Sequence, residues 1–133
     1  IAEEPAARLV LEQCDHAFRR HVSWSLIERL QHGDDETFEQ TDFVQPAIFA
    51  MQLAIAAAWR VRGIEPDRVI GQSIGEIAAA CIAGALSLDD ASQVICQSSA
   101  LIARMASGKG GTALVGLSPE TTREKLLPPS LER

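Results

Sequence analysis

The stretch Arg68-Val69-Ile70-Gly71-Gln72-Ser73-Ile74-Gly75-Glu76-Ile77-Ala78-Ala79-Ala80 decides how this chain of 133 residues is read. Arg68, Val69 and Ile70, behind the turn residues Pro66 and Asp67, predict a short strand. Ile74 to Ala83 is apolar on every side and predicts a buried helix, stopped by Gly84. Between them Gly71-Gln72-Ser73-Ile74-Gly75 fits the pattern G-x-S-x-G, the nucleophile elbow. A strand that turns abruptly into a helix crowds its own backbone, so small residues are wanted two before and two after the serine. Gly71 and Gly75 supply them. Ser73 Oγ would then stand at the helix N-terminus, where the dipole favours developing negative charge, with the Ile74 N–H as one oxyanion-hole donor. The plainer alternative is a glycine-flanked serine that caps a helix; the strand before and the apolar helix after favour the nucleophile.

Outward from this centre the pattern is mostly helical. Pro5 to about His21 and Ser23 to Gln31 predict two helices, with Ser23 as the N-cap of the second. Gly33-Asp34-Asp35-Glu36 predicts a solvated loop. A helix starts at Pro46 and reaches Arg62, ended by Gly63. Ser87 opens another, with Asp90 three residues on in a capping box, and its inward stripe runs Leu88, Ala91, Val94, Ile95, Ser98, Leu101, Ile102 and Met105. After the glycine-rich break at 108–111, Thr112 to Leu117 predicts a strand and Pro119 to Leu127 a helix capped by Ser118. The break is no P-loop, because it precedes a strand instead of following one. Strand, sharp turn, buried helix and a second strand after a helical insert make this α/β material.

Composition narrows the function classes. Apolar residues make up 47% and charged residues 23%, which suits one globular domain. Twelve basic residues against eighteen acidic ones, net −6, argue against a phosphate-backbone binder, so no nucleic-acid partner is expected. The longest nearly apolar runs, Ala47–Trp59 (broken by Gln52) and Ile77–Leu86, fall short of the roughly 20 residues that span a bilayer, and no membrane partner is expected. Cys14, Cys81 and Cys96 form no CxxC, which suits a reducing cytoplasm. His16 and His21 lie five positions apart and point to different sides of a helix, so no metal site is expected; Cys14 and His21 join Val10, Ala17 and Phe18 on one apolar stripe. The first residue, Ile1, suggests a piece of a longer polypeptide.

The run Gln72-Ser73-Ile74-Gly75-Glu76-Ile77-Ala78-Ala79-Ala80, followed by Ala83-Gly84-Ala85-Leu86-Ser87-Leu88-Asp89-Asp90-Ala91, resembles the acyltransferase domain of modular type I polyketide synthases. Asp42-Phe43-Val44-Gln45-Pro46-Ala47-Ile48-Phe49-Ala50, Gly63-Ile64-Glu65-Pro66-Asp67 and Gly110-Gly111-Thr112-Ala113-Leu114-Val115 extend the likeness over nearly the whole chain. The resemblance implies an α/β-hydrolase-like large subdomain over 1–107, a glycine-rich junction at 108–111 and the start of a ferredoxin-like small subdomain over 112–133. It also implies ping-pong chemistry: Ser73 takes an acyl group from acyl-CoA as an ester and passes it to the phosphopantetheine thiol of an acyl carrier protein. No bound cofactor is implied. The partners would be that carrier protein, a ketosynthase and the other domains of a megasynthase. Gln45, Gln72 and Ser98 fall at positions implied to line the substrate site.

Three departures from the family pattern shape the expectations. The family domain is more than twice as long; its general-base histidine lies after this segment and its glutamine-bearing oxyanion loop before it. None of His16, His21 or His32 matches the catalytic position, so the chain alone is expected to be nearly inert. Gln72 replaces the usual histidine before the nucleophile, while Ile74 after it resembles malonyl-selective members. Finally, the arginine that clamps the free carboxylate of malonyl-type units, twenty-five positions after the serine, is here Ser98. A hydroxyl cannot make that bidentate contact. One reading is a small residue that relaxes packing; the other is a site for an acyl unit without a free carboxylate, such as a starter. A serine acyl hydrolase of similar fold and a non-catalytic scaffold piece are the competing functions.

Overall fold

The computed structural model describes residues 4–106 and 115–126, and the described residues form seven helices and no strand. The helices are α1 (Pro5–Phe18), α2 (Leu26–His32), α3 (Asp35–Glu39), α4 (Thr41–Arg60), α5 (Gly75–Ile82), α6 (Leu88–Ala106) and α7 (Pro119–Leu126). α4 is the central helix, with α1 and α6 packed against it most extensively and α3 and α5 at its two ends.

The core explains this order. Phe43, Pro46, Ala47, Phe49, Ala50, Leu53 and Ala54 are buried along α4, a pattern of three- and four-residue steps on a broad apolar face. They meet Ala7, Leu11, Cys14 and Phe18 of α1 and Ala91, Ile95 and Cys96 of α6. At one end an aromatic cluster closes the core. Trp24 meets Phe43 edge-on at 5.2 Å, Phe18 bridges to Trp24 and Phe49, and the Arg29 guanidinium lies 5.3 Å from both the Trp24 and Phe43 rings.

Several predicted boundaries shift, each for a local reason. α4 begins at Thr41, not Pro46, so the proline lies inside it. Only one backbone bond is lost there, and the burial of Phe43 and of the proline ring holds the extra turn in place. α4 is therefore 20 residues long, with a mean hydropathy of 1.2 over its apolar window, so by length and composition it reaches the size of a bilayer span. Its apolar face, however, forms the centre of the core. α1 stops at Phe18, and the N-cap of α2 is Ser25, not Ser23: the Ser25 hydroxyl accepts the Glu28 N–H. The loop expected at 33–36 holds the start of α3, capped by Asp34 through the Thr37 N–H. Ser87 and Ser118 do cap α6 and α7, and Gly63 and Gly84 take positive φ just past α4 and α5.

The larger difference concerns the strands. Residues 68–70 run irregularly and Ile70 is 97% exposed. A single extended segment needs a neighbour to pair with, and none of the described residues supplies one. Of the second predicted strand, 112–114 lie outside the described residues, Val115 is irregular and Gly116 and Leu117 form a bend. The junction at 108–111 also lies outside them.

Candidate active site

The chain leaves α4 through Gly63, crosses an exposed stretch and turns at Gly71-Gln72-Ser73 into α5. At that turn Ser73 has φ +54°, the only positive φ at a non-glycine among the described residues. A serine there pays about 1–2 kcal/mol for the left-handed conformation, a strain that collects at functional sites. Two short turns hold it: Gly75 N–H donates to Gln72 O at 2.9 Å and Glu76 N–H to Ser73 O at 3.0 Å.

The two glycines of the motif play unequal parts. A Cβ at Gly71 would run into the backbone of Gly75 and Glu76, so that position must stay bare. A Cβ at Gly75 would meet only Gln52 Nε2 at 3.6 Å, ordinary contact. Gly75 thus lends its backbone to the tight approach without needing to be glycine for space among the described residues.

Ser73 does not cap α5. The residue before the helix, Ile74, is already helical (φ −58°, ψ −26°), and α5 has no side-chain cap. The Ser73 side chain is exposed and engages in no hydrogen bond with the described residues, and neither does the Ile74 N–H. A free hydroxyl therefore sits beside an uncommitted backbone donor at a helix N-terminus, the arrangement that acyl transfer through a tetrahedral oxyanion requires. Gln72 is exposed and, with Gly71 and Gly75, lines a cleft of about 560 Å³ behind the turn.

The other sequence-selected residues gather elsewhere. The buried face of α6 is Ala91, Ser92, Ile95, Cys96 and Ser99, so the inward stripe is rotated from the predicted one, and Val94, Leu101, Ile102 and Met105 are exposed. Ser98, expected to face inward, is half-buried and donates to the carbonyls of Val94 (2.7 Å) and Ile95 (3.3 Å) on its own helix. The rotation follows from packing: small Ala91, Ser92 and Ser99 let α6 approach α4 closely, which bulkier Leu101 or Met105 would prevent. Its neighbour Ser99 makes the long-range contact, with its hydroxyl 2.9 Å from Gln45 Oε1. Gln45 and the 98–99 pair thus come together, but no described hydrogen bond joins them to Ser73.

Sequence reasoning missed Gln52 as a member of this site. Its Oε1 is buried without a hydrogen-bond partner, and its side chain lines the cleft behind the turn. The signal was visible as the one polar interruption of the run Ala47–Trp59. The cysteines offer no rival nucleophile. Burial pushes the Cys14 and Cys96 thiols up to about 12 and raises that of Cys81, so none is a thiolate near neutrality. Among the described residues, no hydrogen bond connects His16, His21 or His32 to Ser73.

The chain is similar to known proteins over nearly its whole length. Residues 1–132 match the acyl transferase domain family. The chain is 44% identical over 117 residues to the spectinabilin polyketide synthase system protein NorC of Streptomyces orinoci, covering 87% of this chain and 5% of that protein. It is likewise 44% identical over 133 residues to the polyketide synthase GfsE of Streptomyces halstedii, covering 96% of this chain and 4% of the relative. Among solved structures, the acyltransferase domain from module 8 of the salinomycin polyketide synthase superposes with a TM-score of 0.81 at 40% identity, over 90% of this chain and 28% of that one. A loading acyltransferase from the avermectin modular polyketide synthase gives 0.74 at 37% identity, over 78% and 33%. The chain belongs to the acyl transferase domain family, in the branch found in modular polyketide synthases. It spans about a third or less of the solved domains and a few per cent of the curated relatives.

Proposed function

We propose that this chain carries the nucleophile of an acyl-CoA:acyl carrier protein transacylase, with Ser73 as the residue that becomes acylated. The carrying observation is the left-handed Ser73 between Gly71, where no side chain fits, and the N-terminus of α5. Ser73 Oγ attacks the thioester carbonyl as its proton leaves to a general base, and the oxyanion forms beside the Ile74 N–H. The C–S bond then breaks and coenzyme A departs as the thiol. The phosphopantetheine thiol of a carrier protein attacks the resulting ester, and Ser73 regains its proton. The base is a histidine supplied from outside residues 1–133, so the chain by itself is inactive. No cofactor stays bound; acyl-CoA is a substrate.

The family resemblance supports the rest of the reading. Residues 1–107 belong to an α/β-hydrolase-like large subdomain in which residues 68–70 become a strand once paired. Residues 108–111 are the junction, and 112–133 begin a ferredoxin-like small subdomain. The partners are an acyl carrier protein, a ketosynthase and the other domains of a cytoplasmic megasynthase.

For the acyl unit, Ser98 supports a starter without a free carboxylate. A malonyl carboxylate buried without its guanidinium partner is worse by about 3–5 kcal/mol, or two to four decades at about 1.4 kcal/mol per factor of ten. Ser98 is half-buried and bonded only to its own helix, so an arginine can replace it without breaking the core. The test is a competition between malonyl-CoA and propionyl-CoA in a polypeptide spanning the whole domain, followed as acyl-enzyme mass. Propionyl is expected to win, and Ser98→Arg to shift the balance toward malonyl. A malonyl preference in the unmutated protein would show that another residue holds the carboxylate and would end the starter-unit reading.

A further inference from the structure

The acyltransferase reading leaves one feature of the elbow unused, a buried amide directly behind the nucleophile. Between Pro46 and Trp59, α4 has a single polar side chain, Gln52. Its Oε1 is buried and unpartnered, although a buried acceptor without a donor is costly and rare. Its Nε2 lies 3.6 Å from where a Cβ at Gly75 would stand, so the amide rests on the first turn of α5, two residues past Ser73. The cleft it faces is lined on the other side by Val69, Ile70, Gly71 and Gln72. Among the described residues, no backbone N–H from Glu65 through Ile74 donates a hydrogen bond. An acceptor without a donor thus shares one cleft with residues 68–72, whose backbone N–H groups donate to no described residue.

We propose that Gln52 is a positioning residue of the nucleophile elbow, its carboxamide oxygen accepting a backbone N–H of the Gly71–Gln72 turn when the elbow is set for attack. The inference rests on Ser73 being the acylated residue. Gln52 touches neither acyl group nor thiol; it fixes the backbone that holds Ser73 in its left-handed conformation. Its loss therefore slows formation of the ester while leaving acyl-CoA binding almost unchanged.

The experiment measures single-turnover acylation by intact mass in a polypeptide spanning the whole domain, over a range of acyl-CoA concentrations. Gln52→Met keeps length and apolar packing but removes the acceptor. It should slow acylation at saturation by about tenfold, the rate equivalent of one buried hydrogen bond, with half-saturation within about twofold of the parent. Gln52→Asn keeps the amide but retracts it by one methylene, and should slow the step similarly. Gln52→Glu restores an acceptor oxygen at full reach and should recover the rate to within about threefold. Met and Asn variants that acylate at the parental rate would overturn the role of Gln52, as would a Glu variant no faster than Met. An unmutated protein that takes no acyl group at all would instead defeat the acyltransferase reading, and this inference with it.

Discussion

A methyl group added at Gly71 has nowhere to go, because the backbone of Gly75 and Glu76 already occupies the space. One added at Gly75 meets a single flexible amide at 3.6 Å. The two substitutions should therefore separate although the motif treats the glycines alike. Gly71→Ala is expected to cost at least about 2 kcal/mol, since backbone must move. Gly75→Ala should stay within about 0.5 kcal/mol, helped by the better helix propensity of alanine in the first turn of α5. Denaturant unfolding of the two variants checks this, and equal losses would contradict the geometry. The division of labour could not be read from the sequence, because spacing says which positions must be small and not which atoms crowd them. The turn itself was legible: Gly71-Gln72-Ser73-Ile74-Gly75 pointed to a sharp bend in the chain, and Ser73 is where φ becomes positive.

Between elements, the least expected device is the clasp of α1 on α2. Asp15 is buried near the end of α1 and accepts from the Ser25 hydroxyl (2.9 Å), the Leu26 N–H (2.6 Å) and the Arg19 guanidinium (2.8 Å). Burial would push the Asp15 carboxyl up, but these donors outweigh it and hold the group below the usual carboxylate value near 3.8. A carboxyl that ionises more readily in the folded state contributes its full stabilisation above about pH 4 and loses it as the pH falls through the lower folded value. Asp15→Ala should cost about 2 kcal/mol at pH 7, by leaving Ser25 and the Leu26 N–H unpaired, and should blunt the acid-induced loss of stability. Thermal unfolding from pH 7 down to pH 3 reads both; parallel curves for the two proteins would refute the clasp. The clasp also shows why the start of α2 was misjudged: both Ser23 and Ser25 suit an N-cap locally, and only the distant carboxylate selects Ser25. Helix existence was legible from periodicity and from Gly63, Gly84, Ser87 and Ser118. The start of α4 was not, because a proline at position 46 signals a helix start unless a buried Phe43 carries the helix past it. The inward face of α6 was misjudged because hydrophobicity marked Leu101 and Met105, whereas close packing on α4 chose the small Ala91, Ser92 and Ser99.

Taken as one body, the described residues leave large apolar side chains uncovered: Ile55 and Trp59 on α4, Ile70 before the elbow, and Val94, Leu101 and Met105 on α6. Ile55, Trp59, Ile64 and Val69 line one open cleft of about 480 Å³. Apolar side chains gathered in this way, and not scattered singly, mark a surface that favours association. The 133-residue chain in isolation should bind a hydrophobic dye strongly and associate at micromolar concentration, read by fluorescence and sedimentation; a dye-silent monomer would contradict this. The sequence pointed to α/β while the described residues are helical, because Arg68-Val69-Ile70 has strand composition but a strand forms only with a neighbour to pair with, and no described residue supplies one. The central claim, that Ser73 carries the acyl group, is tested most directly by peptide mapping of a polypeptide spanning the whole domain after incubation with acyl-CoA. The account predicts one acyl group on Ser73, lost in Ser73→Ala and discharged to a carrier-protein thiol faster than to water. Label that persists in Ser73→Ala, or that maps to Cys81 or Cys96, would contradict it.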